Sequence, residues 1–68
     1  MKCTEIFLEM EELSEEINNP AAEEYIASVM EKAQSICETV ERFQNESDSQ
    51  ITAMENMRNG MQRWVRNG

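Results

Sequence analysis

The chain has 68 residues, fourteen acidic and six basic, giving a net charge of −8 with 40% hydrophobic and 29% charged residues. That length allows one small domain, residues 1–68, which buries only about 60% of the surface its unfolded form exposes. The apolar content fits a folded chain better than a disordered one, and the charge argues against direct binding to nucleic acid or to an anionic membrane surface.

The N-terminal stretch MKCTEIFLEMEELSEE carries one lysine and no uninterrupted apolar run of seven residues, so it does not read as a secretory signal. No stretch is long enough to span a bilayer, and the expected location is cytoplasmic. Within this stretch Cys3, Ile6, Met10, Leu13 and Ile17 recur at spacings of three and four, which places them on one side of a helix. Thr4 is the expected N-cap, with Cys3 packing on Leu8 as a hydrophobic staple, and the helix covers residues 4–17.

Asn18-Asn19-Pro20 breaks the periodicity, because the residue before proline is disfavoured in the helical region while proline suits the first helical position. Asn19 is the expected cap of a second helix over residues 20–44. Its seam is Ala22, Ile26, Val29, Ala33, Ile36, Val40 and Phe43, widened by Met30 and Cys37. Residues 44–50, QNESDSQ, are polar throughout, and Ser47 followed by Gln50 fits a capping box that opens a third helix over residues 48–66.

The third stripe comprises Ile51, Met54, Met57 or Arg58, Met61, Trp64 and Val65, with Asn59-Gly60 as a stop signal inside it. Met54, Met57, Met61 and Trp64 also continue the heptad phase of the second helix, so one helix from Pro20 to Arg66 is the alternative to a break near residues 45–48. The expected fold is all-α, a helical hairpin or three-helix bundle. A hairpin about Asn18-Asn19 sets Cys3 opposite Ile36 and Cys37, so a bridge between the two thiols is feasible in an oxidising setting, whereas free thiols are expected in a cytoplasmic protein.

The chain contains no histidine, so neither a Ser-His nor a Cys-His nucleophile can be assembled, and the cysteines lack the paired spacing of a zinc site. Glu11, Glu12, Glu15 and Glu16 are dense, but acid/base work needs a desolvated cleft to separate carboxylate pKa values, and a single water-facing helix offers none. No calcium-loop pattern or glycine-rich phosphate loop occurs. The expectation is a protein without catalytic residues, cofactor or metal.

Two features point to interaction instead. Glu5, Glu9, Glu12 and Glu16 fall on one helix face at i, i+4, i+7 and i+11, and no basic residue interrupts residues 3–31. Six carboxylates over residues 5–16 occupy roughly 16 Å of helix axis at about 1.5 Å per residue. That density, about one charge per 3 Å, is near the roughly 3.4 Å spacing along one DNA strand. At the other end, Met54, Met57, Met61 and Trp64 join flexible thioethers to a large anchor side chain, beside the basic tail of Arg58, Arg63 and Arg66. This stripe either completes the protein's own core, with the arginines pairing back to the acidic helix, or docks in a partner's groove.

The leading expectation is a non-catalytic helical module that binds and modulates a larger protein with a basic or apolar groove, or assembles with copies of itself. An alternative is an inhibitor of the phage or plasmid type, such as an anti-CRISPR or anti-restriction protein, acting by acidic nucleic-acid mimicry. A third rests on residues 19–43, NPAAEEYIASVMEKAQSICETVERF, where the sequence faintly resembles the second helix of the small co-chaperones of type III secretion needle subunits. That resemblance rests on helix-compatible residues without a diagnostic motif, and implies a helical groove holding an aggregation-prone partner.

Overall fold

The computed structural model describes residues 1–67, which form three helices: α1 (Lys2–Glu16), α2 (Glu23–Phe43) and α3 (Asp48–Asn67). A single 3-10 turn, Pro20–Ala22, leads into α2. The helices make an elongated all-α bundle of 36 × 17 × 16 Å. Short connections make α2 antiparallel to both neighbours, so α1 and α3 run parallel, and α1 packs more extensively on α3 than on α2.

The periodic stripe of α1 is its buried side. Cys3, Ile6 and Met10 are buried, and Leu13 and Ile17 pack against the same cluster. Its start differs from the expected Thr4 cap: the helix begins at Lys2, and Met1 at the cap position makes no side-chain bond. The missing acceptor comes from the loop between α2 and α3, where the Glu46 carboxylate accepts from the Cys3 amide at 2.8 Å and the Lys2 amide at 3.3 Å. A carboxylate at a helix N-terminus satisfies orphan N–H groups and meets the positive end of the helix dipole. With that cap in place the helix gains its first turn, Cys3 moves inside it, and the expected staple with Leu8 does not form. Leu8 is instead 56% exposed.

At the far end of α1, the Ile17 amide donates to the Leu13 carbonyl, and Ile17 turns to an extended backbone. Asn19 is also extended, as a residue before proline should be, and its Oδ1 accepts from the Ala21 amide at 3.0 Å. The sequence-level cap is therefore present, but it opens the 3-10 turn rather than the α-helix itself.

In α2 the residues Val29, Ala33, Cys37 and Val40 are buried, with Ile26, Met30 and Ile36 packed beside them. Phe43, expected on this seam, is 70% exposed. The Cys37 thiol reaches the Cys3 carbonyl at 3.3 Å, so α1 begins level with Cys37. Phe43 lies six residues, about 9 Å of helix, further on, where α1 offers no cover.

Helices α2 and α3 are separate. Gln44 closes α2 in the left-handed region (φ 49°, ψ 42°), and the amides of Gln44 and Asn45 both donate to the Val40 carbonyl. The capping box then opens α3 in both directions: the Ser47 amide donates to Gln50 Oε1 at 2.8 Å and the Gln50 amide donates to Ser47 Oγ at 3.3 Å. Reversing the chain there folds the third stripe back onto α1, which a continuous helix cannot do.

Asn59-Gly60 does not stop α3, which runs through it. Glycine inside a helix costs about 1 kcal/mol relative to alanine. Here its bare backbone accommodates a neighbour, because a Cβ at Gly60 would lie 2.7 Å from the Tyr25 hydroxyl oxygen. The core is rich in sulfur: Met10, Met54 and Met61 are its largest fully buried side chains, with Cys3 and Cys37 beside them and Ala33 also enclosed.

Candidate interaction surfaces

Because the apolar side of α1 faces α2 and α3, its acidic side is turned outward. Glu5, Glu9, Glu12 and Glu16 are all exposed. Glu9 accepts from Arg58 Nη1 at 3.2 Å, the single ion pair among the described residues. Arg58 is half withdrawn from solvent and its Nε is buried without a hydrogen-bond partner. This pair is the one point at which the basic tail folds back on the acidic helix. Arg63 and Arg66 are exposed and pair with none of the described carboxylates.

The methionine stripe divides. Met54 and Met61 have no exposure and Met57 packs against the core cluster, so in this fold all three belong to the protein's own interior. Trp64 is the one member left for outside contact, half-buried, with its ring 5.9 Å from that of Tyr25 at an interplanar angle of 39°. Tilted aromatic pairs at this separation are mutually favourable. Tyr25, Trp64, Gly60 and Arg63 line an open groove of about 400 Å³ near the end of the bundle that holds the N-terminus of α2 and the last turns of α3. A second, smaller recess of about 160 Å³ sits at the α1–α2 turn, between Ile17 and Ile26.

Two of these groove residues were not legible in the sequence. Tyr25 stands one position off the seam of α2, and Gly60 reads locally as a helix stop. Only the packing of α2 on α3 makes one the wall and the other the floor of the same groove.

The cysteines are built for packing rather than reactivity. Both are free and buried. Desolvation, reinforced by the hydrogen bond and charge of Glu46, pushes the Cys3 thiol up to about 11, and burial followed by the charges of Glu41 and Glu46 raises Cys37 as well. Thiols held protonated in this way are poor nucleophiles. Glu46 moves the other way, held below the ordinary carboxylate value chiefly by the Cys3 amide. Among the described residues no group of three or more histidine, cysteine or carboxylate side chains is placed to hold a metal ion. None of the described helices is long and apolar enough to cross a membrane.

Comparison with protein-family models, with curated proteins and with solved structures finds no match for this chain.

Proposed function

We propose that this chain is a non-catalytic, acidic helical interaction module that binds and modulates a larger protein through the outer face of α1. The observation that carries the proposal is the near absence of internal partners for its carboxylates. Fourteen acidic side chains meet six basic ones, yet one ion pair forms among the described residues, and Glu5, Glu12 and Glu16 stand exposed in a row beside it. Carboxylates on one helix face repel one another and do nothing for folding, whereas a basic partner surface relieves that repulsion on contact.

A narrower form of the same proposal is mimicry of nucleic acid, supported by the straight run of carboxylates on one exposed helix and by their DNA-like density. In that form the partner is a protein whose basic groove ordinarily holds DNA or RNA. Nothing in the packing favours the co-chaperone alternative. The apolar side of α2, which carries the resemblance to such proteins, is enclosed by the bundle through Val29, Ala33, Cys37 and Val40, so holding a client there requires the bundle to open.

The test uses the purified protein as bait in a lysate of its source cell, beside a Glu5→Gln, Glu12→Gln, Glu16→Gln variant. The expected partner elutes as salt rises, since the Debye length shrinks from about 10 Å at 0.1 M to about 3 Å at 1 M, and the variant fails to retain it. An oligonucleotide that displaces the same partner supports mimicry. A partner held equally by the variant and through high salt refutes the acidic-face proposal.

A further inference from the structure

The groove between Tyr25 and Trp64 has a defined chemistry. Its walls are aromatic, its floor is the bare backbone of Gly60, and its rim carries the exposed guanidinium of Arg63. An occupant that matches it presents one apolar side chain with a carboxylate close beside it. This chain displays such a group on its own surface. Leu8 is 56% exposed on the outer side of α1, and its helical neighbours at i−3, i+3 and i+4 are Glu5, Glu11 and Glu12, all exposed. Phe43, the most exposed of the large apolar residues, has no carboxylate at the preceding helical neighbours, Thr39 and Val40, and matches the groove less well.

We propose that the Tyr25–Trp64 groove receives Leu8 of a second copy of this chain, with Arg63 pairing with Glu5 or Glu12 beside it. The contact goes beyond binding to a larger partner and can fail without that function failing, because one is read in self-association and the other in capture of a different protein. Within one molecule the groove and Leu8 are separate surfaces, so the contact is heterologous unless a two-fold axis lets both copies exchange it. A net charge of −8 on each copy opposes approach at low ionic strength. At about 0.15 M salt the Debye length is about 8 Å, so remote carboxylates drop out while the contact pair persists. One seated side chain and one ion pair bury far less than a standard interface of roughly 1,600 Å², so the expected Kd lies at about 0.1–1 mM.

Trp64 is the only tryptophan, so its emission reports the groove without a label. Sedimentation velocity and Trp64 fluorescence are followed up to about 1 mM protein at about 0.15 M salt. Association with a blue shift of Trp64 is expected, and Leu8→Gln, at an exposed position, weakens both by about ten- to a hundred-fold. Trp64→Ala also abolishes association while keeping Leu8. Mixing the two variants restores a 1:1 pair and the blue shift, because one supplies the groove and the other the leucine. If circular dichroism shows Trp64→Ala to be unfolded, Arg63→Glu takes its place in the mixture. A wild type that stays monomeric with unchanged emission overturns the proposal. So does a Leu8→Gln variant that associates like wild type, or a mixture that restores nothing.

Discussion

Replacing Met54 by alanine removes three side-chain heavy atoms from a site with no solvent exposure, in a core where Met10 and Met61 are equally enclosed. Buried methionine-to-alanine changes cost about 2–5 kcal/mol, the spread reflecting how far the site collapses. The surrounding thioethers are flexible and let part of the void close, which places the cost at about 2–3 kcal/mol. A chain of this size has a total stability of about 3–10 kcal/mol, so the loss is a large share of the whole. At about 4–8 °C per kcal/mol for a domain this small, the Tm falls by about 10–20 °C. Thermal and urea melts followed by circular dichroism measure it, with Met54→Leu as the volume-conserving control expected to cost less than about 1.5 kcal/mol. A Met54→Ala variant that melts within about 5 °C of wild type would refute its assignment to the core and return the methionine stripe to the role of an outward docking surface.

Two further outcomes follow from the loop that ties α2 to α3. Glu46 caps α1, and its pKa is lowered on folding, chiefly by the Cys3 amide, so its contribution is present above its unfolded value and is lost as pH falls through the folded one. The Tm gap between wild type and Glu46→Gln is therefore expected to be widest above the ordinary glutamate range and to close as pH falls below it, in an acid melt series. A gap independent of pH contradicts the cap. The buried thiols supply the second outcome: with Cys3 pushed up to about 11 and Cys37 also raised, neither is expected to react with a thiol-specific disulfide reagent at neutral pH until denaturant is added. Rapid labelling of the native protein would show that α1 does not cover them.

Local signals placed the helices well. Proline at position 20, the Asn19 side chain and the reciprocal Ser47–Gln50 pair act within three residues, and the structure shows each of them acting at or within a few residues of the expected boundary. The three-and-four spacing also marked the inner side of α1 and most of that of α2. Where expectation and structure part, the deciding contact spans a long stretch of chain. The cap of α1 comes from a carboxylate 43 residues beyond Cys3, so neither the early start of the helix nor the exposure of Leu8 was visible locally.

The sequence by itself determined that this protein is helical, that its first helix ends at Asn18-Asn19-Pro20, that its surface is strongly acidic and that its tail is basic, because propensity, capping and charge are properties of residues close in the chain; it left open whether α2 and α3 are one helix. It did not determine how the methionine stripe is used. Periodicity shows that Met54, Met57, Met61 and Trp64 share a face, but whether that face meets α1 or a partner depends on the turn at Gln44 and on the relative lengths of three helices. Tertiary packing enclosed Met54 and Met61, joined Arg58 to Glu9, and set Tyr25 over Gly60 beside Trp64. Side chains distant in sequence meet only after the helices are docked, and burial and groove shape are properties of that docking rather than of any single segment.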